Sequence, residues 1–176
     1  AQFTQSTGTM RRNMEDKVAQ LGQRKMRFLD SLKTANPLLW RMASLQITPD
    51  YAGQGGTEAE FYSKEYFRWA DLSDKGFEQI PDVYNAFETY VATQFQPGTP
   101  HERAITMAET QLAKIPAGSV THRMGMGGIV AALKGNNSPQ YPVMAKKYID
   151  LYQLKNLGEI PSMEMELKKA STFMTG

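Results

Sequence analysis

The 176-residue sequence contains no cysteine, which excludes disulfides, thiolate metal sites and a cysteine nucleophile. Histidine is scarce too. Only His101 and His122 occur, far apart and without an acidic cluster at ligand spacing beside either, so no metal centre is expected and each reads as a surface or capping residue. No apolar run approaches the roughly 18–20 residues that span a bilayer. The opening stretch, AQFTQSTGTMRR, lacks the apolar segment of a secretory signal; its leading alanine fits removal of an initiator methionine or a processed precursor. Strand-like alternation is also scarce. Gly125-Met126-Gly127-Gly128 lacks the Lys-Ser/Thr of a phosphate loop, does not complete G-x-G-x-x-G and follows no strand. Nothing has the form of a nucleophile elbow. Neither an enzyme, a cofactor nor a small-molecule substrate is expected.

What is present is globular in composition, with 41% hydrophobic and 22% charged residues, enough for one core. Eleven methionines, eight phenylalanines and eight tyrosines supply apolar surface that fills a core or meets other subunits. The charge is uneven. The formal net charge is +2, yet residues 1–36 hold seven Lys/Arg against three acids, leaving the remainder slightly acidic. A basic segment ahead of a near-neutral body suggests an arm that meets a polyanion and a body that meets proteins.

Thr9 as N-cap and Pro37 as terminator predict one helix over residues 10–35. Met10, Met14, Leu21, Phe28 and Leu32 recur at helical spacing as its apolar stripe. Beside them Asn13, Lys17, Gln20, Arg24, Arg27 and Ser31 form an arc of roughly 80° with no acid in it. Such an arc fits phosphate contact, with Asn, Gln and Ser as neutral donors between the cations. It also fits a solvated amphipathic helix, with cations outside and methionines inside. A membrane-surface helix fits less well, since the stripe lacks Trp and the helix carries Gly22.

After the arm the signals remain helical. Residues 37–45 predict a short helix, and 50–56 a glycine-rich loop. Thr57-Glu58-Ala59-Glu60 is a capping box opening an aromatic helix through Phe61, Tyr62, Tyr66, Phe67 and Trp69. Pro81 precedes a helix with Val83, Phe87, Tyr90 and Val91 on one side. Gln96-Pro97-Gly98 is a turn, and Thr99-Pro100-His101-Glu102 starts a helix carrying Ile105, Ala108, Leu112 and Ile115. Residues 120–133 form a further helix, closed by Gly135-Asn136-Asn137. Its glycines predict close approach of another helix, or of a nucleic-acid backbone flanked by His122, Arg123 and Lys134. Ser138-Pro139 caps the next helix, striped by Tyr141, Met144, Tyr148, Leu151 and Leu154. Gly158 ends it, and Pro161 introduces a last short helix bearing Leu167, Ala170 and Phe173. The expectation is an all-α fold: a long basic N-terminal helical arm over 1–36, then a compact helical bundle over 37–176.

From about Ile115 onward, IPAGSVTHRMGMGGIVAALK, the hinge GNNSP, the Met- and Tyr-bearing PVMAKKYIDLYQ and the second hinge LGEIP together resemble the major capsid proteins of archaeal rod-shaped and filamentous double-stranded DNA viruses, of the rudivirus, lipothrixvirus and tristromavirus kind. The likeness covers roughly a third of the chain as a pattern of helix and hinge. It implies an N-terminal arm that wraps duplex DNA in A-form without reading bases, and a helical body that packs into a filament. It further implies pairing with itself or with a paralogous capsid subunit, and residence in a virion assembled in the host cytoplasm. The resemblance and the charge pattern together nominate Arg11, Arg12, Lys17, Arg24, Lys25, Arg27, Lys33, Arg123 and Lys134 as nucleic-acid contacts. The competing expectation is a helical subunit of a secretion, pilus or tail assembly without nucleic acid, its basic helix paired with an acidic neighbour.

Overall fold

A computed structural model describes residues 2–53, 56–95 and 100–152. Its elements are α1 (Gln2–Ala35), α2 (Pro37–Gln46), α3 (Glu58–Glu65), a 3-10 turn (Lys75–Gln79), α4 (Asp82–Gln94), α5 (His101–Leu112), α6 (Val120–Gly135) and α7 (Tyr141–Tyr152). The protein is all-α, with no strand among the described residues. The turn expected at Gln96-Pro97-Gly98, the cap at Thr99, and everything expected beyond Tyr152 (Leu154, the hinge at Gly158 and the helix after Pro161) lie outside the described residues. The chain forms two compact units, Ala1–Asp71 and Leu72–Gly176. The helix of the expected arm falls in the same unit as α2 and α3.

In the first unit, α1 begins at Gln2 rather than after Thr9. Ser, Thr and even Gly inside a helix cost at most about 1 kcal/mol each, so a capping residue need not stop one. At the other end the punctuation holds. Asn36 is extended (φ −153°, ψ 91°) and its side chain accepts the Leu39 N–H at 3.0 Å, with Pro37 in the first helical position of α2. Thr57 and Glu60 complete the capping box of α3. That helix stops at Glu65, earlier than Trp69, because Phe67 leaves the helical path to bury itself (6% exposed) in a turn closed by Ala70 N–H to the Phe67 carbonyl at 3.1 Å.

The seam of α1 is also rotated from the expected one. Met14, Leu21 and Phe28 are 59, 44 and 51% exposed, and Met10 more so, whereas Leu29 is 3% exposed. The covered positions are Glu15, Val18, Gly22, Lys25, Leu29 and Leu32, alternating steps of three and four on a face turned roughly 60–80° from the methionines. Lys25 sets this roll: its ammonium lies 2.6 Å from Asp50 Oδ2 and donates to the Thr48 carbonyl at 2.9 Å.

In the second unit, α6 is the central element. Eleven of its residues are buried, from Thr121 to Leu133, which is the pattern of a helix covered on nearly every side. It packs on α4, α5, α7 and the 3-10 turn. The contact with α4 is close because Gly128 has no side chain. A Cβ there would meet Glu88 N at 2.9 Å and Phe87 Cβ at 3.0 Å, and the Tyr84 carbonyl oxygen closer still. Val83, Phe87, Tyr90 and Val91, the expected face of α4, are fully buried. On α5 the buried stripe is Ala104, Ala108 and Leu112, continuing to Ile115, with Ile105 half-buried at its edge. Asn137 takes the left-handed conformation (φ 49°) after α6, as the Gly-Asn-Asn signal predicts. On α7, Met144 and Tyr148 are buried while Leu151 is exposed.

Gly128→Ala should therefore lower the melting temperature measured by circular dichroism. Overpacking costs about 1–3 kcal/mol and the backbone clash places it at the upper end, offset by about 1 kcal/mol of helix propensity; the expected drop is roughly 4–8 °C. Gly22→Ala, whose Cβ would meet nothing within 4 Å, should instead raise stability by about 1 kcal/mol. Equal effects of the two substitutions would contradict the close α4–α6 contact.

Candidate nucleic-acid interface

The nine nominated cations separate into groups once the fold is formed. Asn13, Lys17, Gln20, Arg24, Arg27 and Ser31 are all exposed on α1, and Lys17, Arg24 and Arg27 make no ion pair among the described residues. The arc spans about 27 Å along the helix. Ser31 Oγ donates to the Phe28 carbonyl at 2.7 Å and retains its lone pairs for another donor. Arg12 is exposed but points away from the arc, and the side chain of Arg11 lies outside the described residues.

Two of the nominated residues are engaged elsewhere. Lys25 is the tether to Asp50 and Thr48. Its half-buried place on the covered seam brings the ammonium within reach of these acceptors. Lys33 holds its ammonium 4.7 Å from the centre of the Trp40 ring, and the Arg41 guanidinium lies 5.8 Å from the same ring. Arg41 therefore joins Lys33 in a cation–π cluster that the charge count along the first 36 residues missed.

Arg123 and Lys134 sit near opposite ends of α6, about 16 Å apart along its axis. Lys134 is exposed in the last turn, where a cation complements the helix dipole. Arg123 is half-exposed, and its charge acts on the Tyr152 phenol. The glycines between them are buried against α4, α5 and α7 side chains. Of the two uses expected for that glycine face, helix packing is the one the fold realises.

His122 is neither a surface residue nor a cap. It is buried, with its Nδ1 hydrogen-bonded to the Tyr152 hydroxyl and its backbone N–H donated to Ser119 Oγ at 3.1 Å. Burial, then Tyr148, push the Tyr152 phenol up to about 12, Arg123 opposing them. The phenol thus keeps its proton. Burial and then the nearby Lys147 push His122 below its ordinary value. His101, half-buried at the start of α5, lies 5.0 Å ring to ring from Phe95. No group of three or more His, Asp or Glu suited to a metal occurs among the described residues, and no described helix is long and apolar enough to cross a membrane.

The protein is thus an all-α chain of two compact units, with a cationic helix face as its most coherent candidate site. Comparison with protein-family models, curated proteins and solved structures found no match to the chain.

Two measurements check this geometry. Lys25→Gln should cost about 1 kcal/mol in a denaturant titration, the worth of a partly buried ion pair with one further hydrogen bond; an unchanged midpoint would mean the tether does not form. Because folding lowers the pKa of His122, the unfolded chain takes up a proton first as the pH falls through 6.5. Its contribution to stability is complete above that value and declines below it, towards the folded-state pKa. His122→Gln should flatten the melting profile over that window, and a parallel profile would contradict a neutral buried imidazole.

Proposed function

We propose that this chain is a structural nucleoprotein subunit, a viral major capsid protein in kind, whose first helix lies along double-stranded DNA while other surfaces polymerise into a helical filament. The observation that carries this reading is the unbroken cationic arc of α1. Lys17, Arg24 and Arg27, interleaved with Asn13, Gln20 and Ser31, are exposed together with no carboxylate among them. Phosphates are met by such donors without reading base edges, and affinity then comes mainly from released counterions. The duplex is recognised by its backbone, which accommodates the A-form geometry the resemblance implies. The exposed ridge of Met14, Leu21 and Phe28 beside the arc supports a partner subunit next to the nucleic acid, either a second copy or a paralogue. A virion is the compartment this reading assigns.

That same ridge favours a second reading, a helical subunit of a secretion, pilus or tail assembly that binds only protein. An apolar ridge of this kind serves either assembly equally well; only the arc separates them.

The test is the salt dependence of binding to duplex DNA of mixed sequence. Replacing Lys17, Arg24 and Arg27 together by Gln should lower the slope of log K against log salt by about 2–3, equally for unrelated sequences. Lys25→Gln should leave the slope unchanged. A slope that persists in the triple variant would remove α1 from the interface. Loss of a protein partner in Arg24→Glu with Arg27→Glu, at unaltered DNA affinity, would select the second reading. Deleting α1 is a poorer test, because α1 packs on α2 in the same unit.

A further inference from the structure

We propose that His122 and Tyr152 form a pH-sensitive latch, in which protonation of the buried imidazole releases the last turn of α7 from α6. The two residues meet between these helices. His122 Nδ1 is hydrogen-bonded to the Tyr152 hydroxyl, the two ring centres are 6.1 Å apart, and the Tyr148 ring lies 5.4 Å from that of Tyr152.

The two sides of the latch are held unequally. On one side α6 is buried along most of its length and set against the α4 backbone at Gly128. On the other, α7 is pinned by Met144, Ala145 and Tyr148, but its last turn has no fully buried residue. Ile149 and Tyr152 are half-buried there, and Asp150 and Leu151 are exposed. Helix ends with few buried contacts open at little cost. Tyr152 is therefore the part that moves, and His122 the part that stays.

The surroundings of the ring make its protonation the trigger. Lys147 on α7 acts on the imidazole, and its ammonium lies 2.7 Å from Glu109 Oε1 of α5. Arg123, next on α6, acts on the Tyr152 phenol. Asp74, Lys75 and Glu78 of the 3-10 turn line a cleft beside Ser119 and Thr121. On α4, Tyr84 and the Glu88 backbone lie against Gly127 and Gly128, more than one turn further along α6. An imidazolium carries N–H on both nitrogens, so the Tyr152 oxygen can still accept from one. Its charge, however, is cut off from water and repelled by Lys147, and moving Tyr152 aside admits water.

Burial, then Lys147, hold the latched imidazole below its ordinary 6.5, and an opened ring returns towards that value. The opened fraction is thus constant above 6.5 and rises below it by up to about tenfold per pH unit, levelling off at the latched-state value. Residues 153–176 follow directly on this turn, so opening shifts the point from which that segment begins.

The experiment is amide hydrogen exchange of the isotope-labelled full chain, read by nuclear magnetic resonance from about pH 5 to 8 and corrected for intrinsic rates. The amides of residues 149–152 should lose protection progressively below 6.5, while those of Ile129, Val130 and Leu133 keep theirs. His122→Gln should make the profile of 149–152 flat. Tyr152→Phe, which keeps the ring, should lower protection of that turn about two- to tenfold even at the alkaline end, the worth of one hydrogen bond. A flat profile in the unaltered chain, a parallel loss at the α6 amides, pH dependence that survives His122→Gln, or unchanged protection in Tyr152→Phe would each overturn the proposal.

Discussion

The contact between the glycines of α6 and the backbone of α4 is the constraint on which the second unit depends. With Gly128 set against the Tyr84–Glu88 turn, the two helices approach more closely than side chains would permit, and α6 becomes buried along most of its length. Gly125 and Gly127 extend the same surface, where Leu112 and Phe87 meet the first and Tyr84 and Tyr148 the second. The rings at this contact are shielded accordingly. Burial, then Glu88 and Tyr148, raise the Tyr84 phenol to about 12, so it remains neutral and serves as packing surface.

The first unit is organised differently, by one polar link inside an apolar seam. Lys25 reaches Asp50 and Thr48, which fixes the rotation of α1 about its axis. Which faces of that helix stay exposed follows from the rotation. With Leu29 and Val18 turned inward, Met14, Leu21 and Phe28 are left exposed, and the arc of Lys17, Arg24 and Arg27 faces solvent beside them. An apolar ridge adjoining a cationic face suits a helix that meets a subunit and a polyanion together, and the proposed nucleoprotein role rests on the cationic face.

Much of the architecture was legible from local chemistry. Asn36-Pro37, the Thr57–Glu60 box, the proline before α4 and the Gly-Asn-Asn end of α6 each act on backbone groups within a few residues, so their effect does not depend on distant parts of the chain. The cationic arc was legible for the same reason, since it is a property of one helix wheel. The inward stripe of α1 was not. Two faces of that helix carry apolar residues, and periodicity alone does not say which of them a neighbour will cover. The tyrosine partner of His122 lies thirty residues away, and the Lys25 tether joins residues twenty-five apart; no spacing rule reports either.

The amino-acid sequence by itself determined that the chain is helical, where most helices begin and end, and that positive charge gathers on the first of them. Caps, prolines, glycines and helical periodicity are local, and they act before any long-range contact exists. Tertiary structure decided which cations remain available, as Lys25 went to Asp50, Lys33 to the Trp40 ring and Arg123 to the neighbourhood of Tyr152. It also decided that the α6 glycines serve helix packing and that the Thr121 hydroxyl is buried without a bond. Those outcomes depend on which surfaces meet, and burial changes the energy of a charge or hydroxyl far more than its place in the sequence does.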